Sequence, residues 1–292
     1  MLLSAEQLTI TYGARTLLDH VSLYLERGEK LGVIGVNGAG KSTLLRLLAG
    51  AEEPEEGSVT RDPNVRLEYL PQEPAFHGDA TVLEQVFLGL SPEARQLAEY
   101  EAKTILTKLG VPQFDKPVSQ LSGGQRKRVA MASALVHPCD VLMMDEPTNH
   151  LDTGMIDWLE DYLRRFTGAL VMVTHDRYFL ERVVNRMVEV ERGKLYSYEG
   201  NYEKYLELKL ERAEMAQASE RKRQSILRTE IAWMQRGARA RSTKQKAHIQ
   251  RYEQLRDQEG PEYDRNVQLE SIGSRLGRTT VELKDICKSY GD

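Results

Sequence analysis

The sequence predicts an α/β sheet domain over residues 1–200, followed by a long helical hairpin over residues 201–278. In the first part, short apolar runs of strand type alternate with helical patterns, as in a mostly parallel sheet covered by helices. Polar residues directly follow several of these runs, at the carboxyl ends where such sheets bind ligands. Between Asn201 and Gln235 there is no proline or glycine, and Glu, Lys, Arg, Ala and Leu dominate, which favours one long helix.

The composition excludes several classes of protein. No apolar run in the 292 residues reaches the length of a membrane span, about 18 residues. The N-terminus lacks the basic and apolar regions of a signal peptide. The two cysteines, Cys139 and Cys287, do not make a disulfide framework or a zinc site, which fits a reducing compartment. We therefore expect a cytoplasmic protein without membrane insertion.

The net charge of −4 conceals a strongly basic segment. From Arg221 to Arg251 there are ten Lys or Arg residues and a single acidic residue, Glu230, so the remainder of the chain is acidic. A concentrated basic segment on an acidic protein indicates an anionic partner. The charge pattern alone is also compatible with a solvated, charged coiled coil.

A glycine-rich loop separates a predicted strand at 31–34 from a predicted helix that begins near Leu44. The pattern Gly, four residues, Gly-Lys-Ser lets several backbone N–H groups point at phosphate oxygens, next to the positive end of the helix. Lys41 would reach the β- and γ-phosphates, and the Ser42 hydroxyl would ligate magnesium. A purely structural turn is the alternative, which the order of strand, loop and helix disfavours. The residues assigned to this phosphate loop are Gly35, Asn37, Gly38, Ala39, Gly40, Lys41, Ser42 and Thr43.

Periodicity and turn residues assign the remaining elements. These are strands over residues 3–10, 21–25, 57–60 and 65–70, helices over 81–90 and 93–109, and a hairpin turn at Gly193-Lys194. The strands over 57–60 and 65–70 are close in sequence, so we predict that they pair as a hairpin.

Two residues beside the predicted strands are candidates for contacts with a nucleotide. Tyr12 precedes the turn at Gly13 and would stack on an adenine ring, or else be an ordinary surface tyrosine. Gln72 stands between two prolines after a predicted strand end. Its amide would ligate magnesium or the attacking water, although a glutamine alone at such a place would be a simple loop residue.

A second helix N-terminus of anion-binding type follows at Ser122-Gly123-Gly124-Gln125. Ser122 is the predicted N-cap, and the two glycines leave the first N–H groups of the helix accessible. One nucleotide needs only one phosphate loop. The second terminus therefore suggests a site shared across an interface.

Charged residues follow two buried strands. Asp145 and Glu146 come after the apolar run 141–144, and His175 comes after the run 170–174. Asp145 would hold magnesium, Glu146 would accept a proton from an attacking water, and His175 would contact the γ-phosphate. Each could instead be an ordinary residue at a strand end, but the upstream phosphate loop makes that reading weaker for the carboxylates.

Together these stretches resemble the ATP-binding cassette superfamily in order and spacing. They correspond to Walker A at 35–43, the Q-loop at Gln72, the signature at 121–125, Walker B and the D-loop at 141–152 with Asp152, and the switch histidine at His175. The resemblance implies a P-loop NTPase cassette with a mixed sheet and a helical subdomain at about 74–138. It also implies ATP and Mg²⁺ as cofactors, ATP hydrolysis with Glu146 as the base, and adenine stacking on Tyr12. Two cassettes would enclose two ATP molecules, each against the other's signature helix.

Residues 146–152 and 174–180 are similar to the F subfamily, whose members carry two cassettes on one chain and no transmembrane domains. The segment from Gly200 resembles the start of the linker between these cassettes. Residues 279–292 echo the beginning of the chain and are predicted as the first strand of a second cassette. We therefore expect the isolated chain to hydrolyse ATP weakly or not at all without a partner cassette.

The stretch 233–241 resembles the linker tip, which meets peptidyl-tRNA in ribosome-bound members. The residues expected to contact nucleic acid are Trp233, Arg236, Arg239, Arg241, Lys244 and Lys246. The ribosome and peptidyl-tRNA are therefore the expected partners. Because phosphate contacts carry no sequence information, binding of branched DNA in repair is an alternative. An ATP-binding subunit of a membrane transporter is another, but such a subunit has no use for a basic hairpin between cassettes.

Overall fold

The structure is a computed structural model that describes residues 1–13, 15–76, 79–235, 252–253 and 256. The chain divides into two units, Met1–Arg212 and Ala213–Asp292. The strands and helices described below belong to the first unit, except for the last helix, of which only the residues up to Arg212 belong to it. Within the second unit, the continuous described stretch is the remainder of that helix, to Gln235.

Strands and helices alternate through most of the first unit. The strands are β1 (Leu3–Tyr12), β2 (Arg15–Leu25), β3 (Lys30–Ile34), β4 (Glu56–Arg61), β5 (Leu67–Leu70), β6 (Val141–Asp145), β7 (Ala169–Val173), β8 (Arg186–Glu191) and β9 (Lys194–Glu199). The helices are α1 (Lys41–Ala49), α2 (Val82–Val86), α3 (Pro92–Lys108), α4 (Gly123–Val136), α5 (Thr153–Arg165), α6 (Arg177–Val183) and α7 (Tyr202–Gln235).

The strands form two sheets, which confirms a mixed α/β fold. A six-stranded sheet has the order β5-β6-β7-β3-β8-β9 and is parallel except for β9. A three-stranded antiparallel sheet has the order β2-β1-β4. Strands β6 and β7 are buried at every residue, as expected for central strands of a sheet with both faces covered. The carboxyl ends of β3, β6 and β7 therefore meet at one edge of the large sheet.

The predicted hairpin of 57–60 with 65–70 is wrong. Strand β4 pairs antiparallel with β1 in the small sheet, and β5 pairs parallel with β6 in the large one. Most of β4 is exposed, which suits the edge of a sheet, whereas β5 lies against the buried β6. Two short strands separated by a turn look alike in sequence whether they pair or diverge, so local pattern could not decide this.

The predicted helix at 93–109 is confirmed as α3, and the one predicted at 81–90 is present as α2 but ends at Val86, before the turn at 87–89. Thr81 begins α2 with a capping box that includes Glu84, and Ser91 caps α3. Buried apolar residues of both helices join those of α4 in one core cluster. This cluster holds α4 beside the large sheet, and the N-terminal residues of α4 carry the Ser-Gly-Gly-Gln motif.

The long helix is confirmed as α7, which has 34 residues and is about 50 Å long at 1.5 Å per residue. The predicted turn at Gly193-Lys194 is also confirmed, since β8 and β9 form an antiparallel hairpin there. The first turns of α7, up to Arg212, pack on this hairpin and belong to the first unit. The rest of the predicted hairpin, residues 236–278, lies outside the described residues except for 252, 253 and 256, and the predicted strand at 279–292 lies wholly outside them.

Candidate active site

The phosphate loop lies between β3 and α1 and is closed around the ammonium group of Lys41. Lys41 Nζ donates hydrogen bonds to the carbonyl oxygens of Gly35, at 2.8 Å, and Val36, at 3.2 Å. Gly38 and Gly40 have φ angles of 74° and 104°, which side-chain-bearing residues rarely adopt. Burial lowers the pKa of Lys41, while the carboxylates of Glu146 and Asp145 raise it. The sequence therefore builds a curled loop with a partly buried cation over it.

Asp145 ends β6 and is 3% exposed. Its Oδ1 atom is buried and has no hydrogen-bond partner among the described residues. Burial raises the pKa of Asp145, and a hydrogen bond with Ser42 lowers it. A buried carboxylate oxygen without a partner is costly, and a hard divalent cation would satisfy it. Ser42 and Asp145 thus provide oxygen ligands of the kind that Mg²⁺ prefers.

Glu146 directly follows Asp145 and faces His175, which follows β7. Glu146 Oε1 is 3.5 Å from His175 Nε2. Burial of Glu146 raises the pKa of its carboxyl group, and His175 lowers it. A partly buried carboxylate with a raised pKa, at the edge of a ligand-binding sheet, is suited to accept a proton from water.

Gln72 lines the same cleft as Asp145 and Glu146, although more than seventy residues separate it from them in sequence. Lys127 and Arg128 of α4 also line this cleft. Sequence reasoning missed both of these basic residues. The available signal was their place in the first turns of the helix that the signature motif begins, two and three residues after Gln125.

Tyr12 ends β1, and its side chain is about half exposed. Its hydroxyl group bonds the carboxylate of Glu52 and lies 3.4 Å from Arg46 Nη2. Arg46 also donates to Thr43 Oγ1 at 3.3 Å and to Glu52 at 2.8 Å. Arg46 and Glu52 therefore connect Tyr12 to the last residue of the phosphate loop, a connection that sequence reasoning missed.

The predicted N-cap at Ser122 is confirmed. Ser122 Oγ accepts from the Gln125 N–H at 3.3 Å, and Gln125 Oε1 accepts from the Ser122 N–H at 3.0 Å. A side chain at Gly123 would meet no heavy atom of the described structure within 4 Å. Ser122 and Gln125 thus satisfy each other's backbone N–H groups, and the described structure leaves space beside Gly123 at this helix end. The signature residues 121–125 are not among the described residues that line the cleft at Glu146.

Asp152 is the N-cap of α5, because its Oδ1 accepts from the Met155 N–H at 2.9 Å. Trp233 lies in the last turn of α7. The other expected nucleic-acid contacts, Arg236, Arg239, Arg241, Lys244 and Lys246, lie outside the described residues. Among the helices that the structure describes, none combines the length and the apolar character that a membrane crossing requires.

The chain matches curated proteins over almost its whole length, and family models over two parts of it. Two family models, both described as ABC transporter, match residues 18–149 and 188–270. The uncharacterized ABC transporter ATP-binding protein YfmR of Bacillus subtilis is 46% identical, over 99% of this chain and 52% of that protein. The energy-dependent translational throttle protein EttA is 37% identical in Mycobacterium tuberculosis and 34% in Escherichia coli K12. These matches cover 96% and 95% of this chain and 57% of each relative.

Solved structures support the same fold. The dimeric structure of MJ0796, a bacterial ABC transporter cassette, has a TM-score of 0.60 and 25% identity. The superposition covers 68% of this chain and 98% of the MJ0796 chain. An ATP-binding subunit of an ABC transporter has a TM-score of 0.61 at 24% identity, over 68% of this chain and 90% of that one, and shows the fold alone.

The chain spans about half the length of the curated relatives that it matches. The two family matches extend from within β2 to the residues after β6, and from within β8 to the residues after α7. They agree with the order of loop, signature helix and strand-end residues found in the fold. The chain belongs to the ATP-binding cassette superfamily, in its F subfamily.

Proposed function

We propose that this protein is a cytoplasmic ATPase that binds ribosomes and couples this binding to its ATP state through the basic linker. The observation that carries the ATPase proposal is the convergence of three groups at one sheet edge. These are the Lys41 loop after β3, the unpartnered Asp145 oxygen after β6, and the Glu146–His175 pair. A site with these groups can bind a triphosphate, hold a divalent cation and deprotonate water.

In this mechanism, the phosphate-loop N–H groups and Lys41 bind the β- and γ-phosphates. Ser42, Asp145 and Gln72 would hold Mg²⁺, which supplies positive charge against the phosphates when bound. Glu146 takes the proton of the attacking water, because its carboxylate is partly buried and its pKa is raised. His175, 3.5 Å from that carboxylate, orients it and donates toward the γ-phosphate.

The open N-terminus of α4 supports a shared site. Ser122 and Gln125 cap this helix with each other, yet the outer side of Gly123 is free of described neighbours. A phosphate group of the ATP bound to a second cassette fits such a helix end, because the N–H groups and the helix dipole both favour an anion there. Asp152 would adjoin the same interface. One solved relative with this fold is described as a dimer.

Two observations support the ribosome as the partner. Relatives that share 34–37% identity are named energy-dependent translational throttle proteins. The sequence also concentrates ten basic residues between Arg221 and Arg251, which is typical of a segment that contacts a phosphate backbone. We propose that Trp233 and the basic residues after it contact peptidyl-tRNA, by stacking and by phosphate contacts.

Strand β8 supports coupling between the ATP site and the linker. The Val190 carbonyl lies directly against Gly35 of the phosphate loop. The neighbouring Glu189 is 4% exposed and bonds the base of α7, with Tyr205 Oη 3.1 Å from Glu189 Oε1. Lys209 also bonds Glu189, and Arg212 Nη1 lies 3.7 Å from its Oε2. One strand therefore contacts both the phosphate loop and the helix that leads into the linker.

Ribosome co-sedimentation tests the proposed function. We expect the intact protein with Glu146→Gln, and with the corresponding change in its partner cassette, to sediment with ribosomes in ATP and not without it. Neutralising Arg236, Arg239 and Arg241 together should abolish this binding, whereas neutralising the exposed Arg164 and Arg165 of α5 should leave it intact. Equal binding to ribosomes and branched DNA at matched salt would contradict ribosome specificity. Absence of binding in both nucleotide states would contradict the proposed partner.

Glu189→Gln tests the coupling. This change removes the buried negative charge that Lys209 and Arg212 share, so the base of α7 loses its ion pairs with Glu189 and keeps only the pair between Arg212 and Glu191 among those that the described residues form with β8. We expect ATP hydrolysis to stay within about twofold of wild type, because Glu189 contacts no residue assigned to the ATP site. The ratio of ribosome binding with and without ATP should fall by about tenfold, the equivalent of one charge-assisted hydrogen bond. An unchanged ratio would show that β8 does not transmit the ATP state; Glu199→Gln, on the exposed end of β9, is the control.

A further inference from the structure

The loops that carry Glu146 and His175 are tied together by two hydrogen bonds. One is between backbones, from the Glu146 N–H to the Val173 carbonyl, at 2.8 Å. The other is between side chains, where Thr148 Oγ1 and Thr174 Oγ1 are 2.9 Å apart. The first bond is made by Glu146 itself, and the second is made two residues later in the same loop. They therefore set how closely the loop after β6 approaches the loop after β7.

The hydroxyl pair is well built for this purpose. Thr174 is 2% exposed, and its Oγ1 also accepts the Asp176 N–H at 3.2 Å. The same oxygen thus joins the turn that carries His175 to the loop that carries Glu146. In the low dielectric of the interior such a hydrogen bond is stronger than in water, and an unpaired hydroxyl there is costly.

Glu146 needs such support because its backbone is strained. Its φ angle is 54°, in the left-handed region that residues with a side chain seldom occupy. Strained backbone persists only where surrounding contacts over-determine it, and it concentrates at functional sites. The tie from Thr148 lies two residues after Glu146, and the Asn149 N–H donates to the Glu146 carbonyl at 3.3 Å. These contacts hold the carboxylate toward His175.

We propose that Thr148 and Thr174 are positioning residues for ATP hydrolysis, and that their hydroxyl pair holds Glu146 and His175 in the hydrolytic geometry. This inference rests on the proposed ATPase function. Neither hydroxyl contacts the reacting groups. Their contribution is to the orientation of Glu146, and therefore to turnover rather than to ATP binding.

Steady-state kinetics of Thr148→Val and Thr174→Val test the proposal, since valine keeps the shape of threonine and removes the hydroxyl. We expect kcat to fall by about tenfold, the kinetic equivalent of one buried hydrogen bond, with KM and the Kd for ATP within twofold of wild type. The double variant should be no slower than Thr174→Val, because Thr174→Val already removes the bond between the two hydroxyls, together with the bond from the Asp176 N–H. Thr148→Ser and Thr174→Ser keep the hydroxyl, so we expect their kcat to stay near the wild-type value.

Thr104→Val is the matched control, because Thr104 is an exposed threonine on α3 whose hydroxyl donates to the Tyr100 carbonyl of the same helix. Unchanged kcat in both folded valine variants would overturn the proposal. So would losses that multiply in the double variant, or a change confined to KM.

A second readout does not depend on turnover. When Glu146→Gln is the only substitution, it should shift the imidazole NMR resonance of His175, since the two side chains are 3.5 Å apart. The chain has six histidines, so His175→Gln assigns the signal. In the Thr174→Val background we expect this response to be at least halved. A full response there would refute the positioning role, whereas a wild-type protein without ATPase activity would refute the proposed function alone.

Discussion

Replacing Glu146 by glutamine will reduce ATP turnover by a factor of about 10² to 10⁴, the usual contribution of a general base. Glutamine has nearly the same size but cannot accept the proton of the attacking water. Binding of ATP should be unchanged, because Lys41 and the phosphate loop make the phosphate contacts. Single-turnover hydrolysis and equilibrium ATP binding by the intact protein measure the two quantities separately. Turnover at the wild-type rate would remove Glu146 from the role of base.

The pH dependence provides a second check on Glu146. Burial raises the pKa of its carboxyl group above the ordinary value for glutamate, and hydrolysis needs the ionised form. Turnover should therefore be complete above the raised pKa and be lost as the pH falls through it, at a higher pH than an ordinary glutamate would give. The residual activity of Glu146→Gln should not show this loss of turnover at low pH, which forms the acidic limb of the pH profile. Glu101→Gln, on the exposed face of α3, should keep both the rate and the limb.

Replacing Gly35 by alanine will weaken ATP binding by roughly 10- to 100-fold. A Cβ atom at this position would lie 2.5 Å from the Val190 carbonyl oxygen, a backbone atom that cannot turn aside. The φ angle of 152° adds strain for any residue with a side chain. Overpacking of this kind costs about 1 to 3 kcal/mol, and tenfold in Kd corresponds to about 1.4 kcal/mol. Displacement of the loop also moves the carbonyl that holds Lys41.

Gly28→Ala separates this steric effect from the effect of a positive φ angle. Gly28 has a φ angle of 80°, but a Cβ atom there would meet nothing within 4 Å. We expect this control to lower the free energy of unfolding by about 1 kcal/mol and to leave the Kd for ATP unchanged. Calorimetric titration with ATP and thermal unfolding distinguish the two variants. Equal ATP affinity in both would contradict the close approach of β8 to the phosphate loop.

Features that depend on residues near each other in sequence were predictable. The phosphate loop follows from its glycine spacing, and the cap of α4 follows from Ser122 and Gln125, three residues apart. The span of α7 follows from the absence of glycine and proline. The resemblance to the cassette superfamily rests on several such stretches, and the family matches confirm it.

Features that depend on which strands become neighbours were not predictable in this way. The segments 57–60 and 65–70 carry ordinary strand patterns, yet they join different sheets. The Thr148–Thr174 pair spans 26 residues, and the Tyr12–Glu52 contact spans 40. No periodicity within either segment identifies its partner, because a strand has the same alternation whatever lies beside it.

By itself, the sequence determined the kinds of chemistry present: a loop for phosphates, carboxylates at strand ends, a capped helix open to an anion, and a long helix leading into a basic segment. Tertiary structure alone decided how these parts act on one another. The sheet order places β7 between β6 and β3, which brings the Glu146 loop against His175, and places β8 against both Gly35 and the base of α7. The physical reason is that local patterns set the conformation of each segment, whereas the burial of one shared core selects its neighbours.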